Sequence, residues 1–562
     1  MATTSRQSVH HTVSEKTHET GSDSHGSDSG DDIRAAVPAL RGRRLIMALT
    51  FVSGTNFILF GYDQGVMSAL LTANQFEKVF PQVVDDGPSN HATLQSFIVA
   101  VYEIGCLFGA LSNLWLGDKL GRRKTIYLGS VIVIIGAILQ ATSFTFTQMV
   151  VARIVSGLGI GLNTSTVPSY QAECSPAASR GTYMVMQCGV STLGLMTSVL
   201  MSNLRTNKWI DFGFYWLTGS SAQWRVPIAL QNVLASMMIV GIAFLPESPR
   251  WLAKHGRDAD ALAVISALED KVYTSEPVQL TYHGIREAIA VESHVGPSNK
   301  SPLQEVFTNG PSQNFRRTSI AVLCQCFQQI SGQNMITYFA TIVFQRLGFN
   351  DVKSRIMAAA NGTEFFLASF IAVGLIDRVG RRPLMLFATT GQSITMVVLA
   401  VLGSINTSRC QIASAVLMFV FNTFFAIGWL GMTWLYCAEI VGLRIRAPAN
   451  AFSTASVWTF NFVVVMITSP SFHNIGWRTY IVFASLNAAI VPVIYVFFPE
   501  TVGRSLEDMD VVFALAYTEG VSPVAVSLRK DVPLAGTPEA DAILGVRPEE
   551  RIQNVEDVPF KE

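Results

Sequence analysis

The chain has 562 residues, 49% of them hydrophobic and 14% charged, and its basic and acidic side chains cancel to no net charge. Mean hydropathy is +0.36, which excludes an ordinary water-soluble fold, because helices apolar on every face have nowhere to put those faces in water. With no net charge, nothing points to nucleic-acid binding. No nucleophile–base constellation or metal-ligand spacing points to an enzyme, and no cofactor is expected.

Residues 1–44 are rich in Ser, Thr, His, Asp and Gly and lack an apolar centre, so they read as a disordered tail and not as a signal peptide. Runs long enough to cross a bilayer as helices, about 20 residues each, follow near 45–71, 91–114, 125–142, 147–168, 181–203 and 225–245. Residues 246–315 are polar, with two amphipathic patches (ALAVISAL and IREAIAV), as expected of a soluble helical linker. Apolar runs resume near 318–344, 354–376, 383–404, 411–438, 448–469 and 477–498, and residues 510–562 read as loop-like. The predicted fold is an all-α membrane protein. It has a six-helix bundle over 45–245, a linker over 246–315, a second six-helix bundle over 316–498 and a tail over 499–562.

Orientation follows from Lys and Arg beside the spans. Arg41, Arg43, Arg44, Lys119, Arg122, Arg123, Lys124 and Arg180 gather on one side of the first bundle, against Lys78, Arg205 and Lys208 on the other. Both termini and the linker are therefore expected in the cytosol. The seven cysteines lie in or beside apolar runs and read as packing residues. Asn406 matches a glycosylation pattern too close to the membrane to count, and Asn163 and Asn361 match it inside spans.

Three motifs occur twice, in the same order. GDKLGRRK (117–124) returns as IDRVGRRP (376–383), YQAECSPAASR (170–180) as YCAEIVGLRIR (436–446), and PESPR (246–250) as PETVGR (499–504). Such a same-sense duplication marks two parallel bundles in a lipid bilayer with a substrate path between them. At helix ends the repeated charges meet unpaired backbone groups and a partial charge. One expected gate cluster is Asp118, Arg122, Glu173, Arg180, Glu247 and Arg250. Its twin is Asp377, Arg381, Glu439, Arg446, Glu500 and Arg504. Their pairs are expected to break as the halves rock apart.

An ionisable residue inside a span is costly and marks a functional candidate. Asp63 (FGYDQG) and Arg153 (RIVSGLGIG) form the best pair. A carboxyl beside a guanidinium stays ionised, and one separated from it in an apolar site takes up a proton. Glu103 (VYEIG) and Glu364 (NGTEFF) either tune that site, bond to a substrate hydroxyl, or sit as neutral interior acids. Amides offer donor and acceptor together, which suits a neutral polyhydroxyl substrate. Gln325, Gln328, Gln329 and Gln333 fall within about 140° of helical arc, with Asn334 about a further 100° round, and a break at Ser331-Gly332 would turn Asn334 inward.

RIVSGLGIGLNTSTVPSYQAECSPAASRG, PESPRWL, QQISGQN and PETVGRSLEDMD resemble the sugar porter family of the major facilitator superfamily, over about residues 45–510. GYDQGVMSALLTANQF, LQSFIVAVYEIGCLFGAL and AIGWLGMTWLYCAEIVGLRIRAPANA narrow the likeness to a fungal proton-coupled branch with hexose, sucrose and glycerol symporters. The resemblance implies the major facilitator fold of twelve transmembrane helices in two parallel repeats, alternating access and a four-helix cytosolic linker domain. It makes Asp63 the proton carrier and Arg153 its partner, although facilitators of the family also include members with Asp there. Gln328, Gln329 and Asn334 match sugar-contacting positions, and Trp434, Trp458 and Asn461 match residues near the sugar. Four departures stand out. Leu114 and Val373 replace a frequent Gly, Gln333 stands where some relatives have Ile, Phe365 stands where hexose carriers often have Asn, and Gln187 comes one residue early. The expected function is a monomeric plasma-membrane symporter importing a neutral sugar, hexose or sucrose, with a proton. The alternatives are a glycerol or polyol symporter, an uncoupled facilitator and a non-transporting sugar sensor.

Overall fold

The computed structural model describes residues 40–84, 89–175, 180–200, 219–293, 302–405, 407–535 and 537–544. The expectations for residues 1–39, 201–203, Arg205, Lys208, Asn406 and 545–562 fall outside them. The described residues form helices and turns, with no strand among them. Among these residues twelve helices cross the bundle: α1 (Gly42–Leu70), α2 (Ser89–Leu120), α3 (Arg122–Ala141), α4 (Phe146–Glu173), α5 (Arg180–Leu200), α6 (Ala222–Ala229 and Gln231–Phe244), α7 (Asn314–Ile330, Gln333–Tyr338 and Ala340–Arg346), α8 (Asp351–Val379), α9 (Arg381–Ile405), α10 (Ser408–Phe425, a π turn at Ala426–Leu430, and Met432–Ile440), α11 (Arg446–Ile475) and α12 (Thr479–Phe497). Each lies over one of the apolar runs, and several extend a turn or more beyond it, where polar residues carry the helix out of the apolar layer.

Local chemistry sets the ends. Thr145, Asn350 and Thr407 cap α4, α8 and α10 by accepting from the backbone amides of Gln148, Lys353 and Cys410. Gly121 and Gly380 separate α2 from α3 and α8 from α9 with φ of +82° and +99°. A Cβ there would stand 2.6 Å and 2.7 Å from a carboxylate oxygen of Glu247 and Glu500. Glycine is required at both on two counts.

Within the first bundle, small residues let backbones meet. A Cβ on Gly105 or Gly109 of α2 would lie within 2.3 Å of a carbonyl oxygen of α4, and Gly157 and Gly161 face α2 just as closely. The two bundles join along two related seams, α2 with α11 and α5 with α8. Phe51, Phe108, Trp115, Phe244, Phe387 and Val401 stay exposed on the outer surface, as suits side chains that face hydrocarbon.

The side of the bundle away from the described chain ends, here the far side, is laced shut between the halves. Arg355 of α8 donates to the carbonyls of Ala69 (3.2 Å) and Thr72 (2.8 Å) and to the Thr72 hydroxyl (2.7 Å) at the end of α1. The Ser469 hydroxyl and amide of α11 reach Gln95 (2.9 Å) and Ser96 (3.1 Å) of α2.

On the other side, helices Pro249–Lys254, Asp258–Glu269, Glu276–Ser293 and Pro302–Glu305 form the linker, tied to the second bundle by Glu305 and Arg444 at 2.5 Å. The tail departs from its loop-like reading. Helices Leu506–Glu519, Pro523–Ser527 and Pro538–Leu544 bury Val511, Val512, Ala516, Val526, Val532 and Ala540 together. A Ser505–Asp508 capping box starts the first of them. Arg317 of α7 pairs with Asp510, donates to the Met509 carbonyl at 3.0 Å, and lies 4.2 Å from the Phe513 ring centroid. Apolar residues spread over three short segments gave no single periodic run, which is why the fold of this segment was not legible.

Candidate functional site: a buried ion pair beside an amide-lined cavity

The repeated motifs build two copies of one arrangement. Arg122 forks onto Glu173 at 3.2 and 3.0 Å, and Arg381 onto Glu439 at 3.1 and 2.8 Å. Each arginine also donates to a carbonyl at the preceding helix end, Gly117 or Ile376. Its own backbone amide donates to Glu247 (2.9 Å) or Glu500 (3.0 Å). Ser248 and Thr501 donate to the outer carboxylates Glu173 (2.5 Å) and Glu439 (2.6 Å). Tyr170 and Tyr436 donate to the carbonyls of Pro246 and Pro499. Bidentate, charge-assisted contacts of this kind fix geometry.

These pairs lie within each bundle and so clamp it internally. Asp118 pairs with Lys254 of the linker at 2.8 Å and Asp377 with Arg381 at 3.1 Å. Arg504 donates to the Arg529 carbonyl in the tail at 2.9 Å. Arg250 lies in the first linker helix and Arg446 opens α11, while the Arg180 side chain falls outside the described residues.

Asp63 and Arg153 come together in the first bundle, 2% and 0% exposed. Their closest approach is 3.5 Å, and Gln231 donates to the other Asp63 oxygen at 2.9 Å. Pro227 and the break after Ala229 divide α6, which places Gln231 at the start of its second piece. The neighbouring Tyr62 hydroxyl staples the same point by donating to the Pro227 carbonyl at 3.0 Å. Arg153 also donates to the Val99 carbonyl and lies 4.9 Å from the Tyr102 ring centroid. Its Nε and Nη1 are buried without a protein partner. Glu103 is fully buried and meets the Tyr338 hydroxyl of α7 at 2.6 Å.

Between the bundles lies a cavity with about 780 Å³ of empty space including its mouth. The break in α7 at Gly332, with φ +97°, turns both Gln333 and Asn334 onto its wall beside Gln328 and Gln329. Asn487 takes up the released Ser331 carbonyl at 2.9 Å. Asn334 bridges Gln329 (2.5 Å) and Asn461 (2.6 Å), Gln329 donates to Gln328, and Gln328 to the Trp429 carbonyl of the π turn. Gln333 reaches Thr337 and Asn422. Trp434 and Trp458 line the cavity, Trp458 edge-on to Phe60 at 5.6 Å. The Gln333 Oε1 and Trp458 Nε1 atoms are buried without a protein partner, so the wall keeps hydrogen-bonding capacity in reserve.

Three candidates are not on this wall. Gln325 lies a turn too far along α7. Gln187 is buried next to Cys188, which does line the cavity, as do Ser191 and Thr192. Glu364 turns away to the Thr423 hydroxyl at 2.5 Å, and its neighbour Phe365 faces the cavity. Sequence reasoning missed Gln231, Tyr338, Gln64, Thr164, Ser191, Thr192 and Thr337. These are single polar residues without a repeated motif, and only helix breaks and cross-bundle packing assign them.

The family model described as "Sugar (and other) transporter" matches residues 47–513. "Sugar transporter STL1" of Saccharomyces cerevisiae is 37% identical over 496 residues, covering 87% of this chain and 84% of that one. "High-affinity glucose transporter" of Kluyveromyces lactis is 30% identical, covering 83% and 84%. Among solved structures, the proton:xylose symporter XylE bound to 6-bromo-6-deoxy-D-glucose superposes with a TM-score of 0.68 at 23% identity, covering 84% of this chain and 99% of that one. At that identity the likeness establishes the fold, a major facilitator.

Proposed function

Because this chain belongs to the sugar transporter family, we propose that it imports a small neutral sugar, hexose or sucrose, together with a proton by alternating access across a plasma membrane. Its termini and linker then face the cytosol. The observation that carries the reading is the buried Asp63–Arg153 pair set beside an amide-lined cavity between two bundles. A carboxylate kept from water by helices that move relative to its cation is a proton binder whose occupancy depends on that movement. The amides of Gln328, Gln329, Gln333, Asn334 and Asn461 meet hydroxyls, while Trp434 and Trp458 cover an apolar sugar face. The contacts of Arg355 and Ser469 close the far side between the halves.

One observation favours a second substrate class. Phe365 makes the α8 wall apolar and Glu364 is turned away, which narrows the polar part of the cavity and suits a smaller polyol such as glycerol. Proteoliposomes with an imposed acid-outside gradient test the whole reading. Radiolabelled glucose, sucrose and glycerol are offered with and without a protonophore. Protonophore-sensitive accumulation of one of them is expected, equilibration without accumulation marks a facilitator, and binding without flux marks a sensor.

A further inference from the structure

Among the described residues, one guanidinium and two carboxyl groups share the dry core of the first bundle. Asp63 already holds Arg153 and Gln231. Glu103, 0% exposed, has the Tyr338 hydroxyl on Oε1 and no protein partner on Oε2. The groups facing it are Asp63 from α1, Tyr102 and Cys106 from its own helix, Arg153 from α4, Tyr338 from α7 and Asn461 from α11. Arg153 supplies the single positive charge among them. A second bare anion there would lack a counter-ion and be strongly disfavoured, so the neutral count leaves one proton on the carboxyls, and Glu103 is the one without the cation.

Tyr338 fits this assignment. Its hydroxyl has one hydrogen and lies beside both Glu103 and Gln64. That hydrogen is donated to Glu103 Oε1 at 2.6 Å, which leaves Oε2, the oxygen with no partner, to carry the proton. The same carboxyl lies beside Asn461, which accepts from Asn334. Glu103 therefore stands where the proton site of one bundle touches the substrate wall of the other.

We propose that Glu103 is carried as the neutral acid and acts as a positioning residue, bonding across the bundles to Tyr338 so that closure over the substrate is felt at the Asp63–Arg153 pair. The functional half of this statement rests on the symport reading, while the protonation half does not. Infrared difference spectra of the purified full-length protein at about pH 7.5 test the protonation half directly. The wild type minus Glu103→Gln should contain the carbonyl stretch of a protonated carboxyl, and Tyr338→Phe should shift that band. A difference showing only carboxylate bands, or a band that Tyr338→Phe leaves in place, overturns the proposal. In proteoliposomes, Glu103→Ala should lower proton-driven accumulation about tenfold, the worth of one buried hydrogen bond, and Glu103→Gln should recover most of the loss. A Gln variant as inactive as Ala would make Glu103 a proton carrier and sink the positioning role. Should wild-type protein fail to accumulate any substrate, the symport reading falls and with it the transmitting role of Glu103, while the infrared result still decides its charge.

Discussion

Asp63 was legible because an acid in an apolar run has few structural reasons to be there. Gln231 was not, because an amide at a helix start is common and its reach to Asp63 depends on the break in α6. The distinction yields a direct expectation. Under the proposed symport, Asp63→Asn keeps the acceptor for Gln231 but removes the carboxyl, so accumulation should fall to the equilibrium ratio while exchange between labelled and unlabelled substrate continues. Uptake into vesicles at several external pH values measures both, and acid-stimulated accumulation in the variant would move the proton site elsewhere. Gly121 and Gly380 offer a structural counterpart. Alanine at either meets both a positive φ and a carboxylate oxygen closer than van der Waals contact, for a loss of about 1–3 kcal/mol. Thermal unfolding in detergent should show the drop for each, with little difference between them because the two clamps are alike.

Among elements, α7 was the best anticipated and the tail the worst. The glutamine spacing of α7 gave the face, and Ser331-Gly332 gave the break, because glycine is tolerant of the left-handed turn that ends the first piece. The sequence could not say that Asn487 would take the freed carbonyl or that Gln325 would miss the cavity. Asn334→Ala removes the bridge between Gln329 and Asn461 and should raise the KM for substrate about fivefold, the worth of a hydrogen bond near about 1 kcal/mol. Radiolabel uptake under zero-trans conditions measures that shift. The tail gives a pH dependence. Burial pushes the Asp508 carboxyl up, but the amides of Ala535 and Ser505, the Ser505 hydroxyl and Arg504 outweigh it and hold the group below its ordinary value. A lowered carboxyl stabilises docking above its unfolded value and loses that contribution as pH falls through the folded one. Protease cleavage of the tail should therefore increase as pH drops below the ordinary carboxylate range, and Asp508→Asn should be cleaved faster already at neutral pH.

For the molecule as a whole, the duplication made the six-plus-six architecture legible, whereas the joining of the halves was not. The repeated motif residues clamp each bundle to itself. The far-side closure falls to Arg355, Thr72, Gln95, Ser96 and Ser469, which carry no motif. Arg355→Ala removes the three bonds that a charged group donates to the first bundle and should bias the protein toward far-side opening by about 2 kcal/mol. Cys188, a cavity residue, then becomes a native reporter. Its labelling by an impermeant thiol reagent applied from the far side should rise by at least about tenfold in the variant, as a bias of that size shifts the two populations.

The interruption in α7 has a mechanical consequence. A continuous helix resists sharp bending, since each kink must first rupture hydrogen bonds in its own ladder. At Ser331 that rupture already exists and Asn487 has healed it from outside. The outer piece, bearing Asn334 and Tyr338, is therefore joined to the inner one without a continuous ladder and held by side chains instead, while the inner piece is anchored to the tail through Arg317.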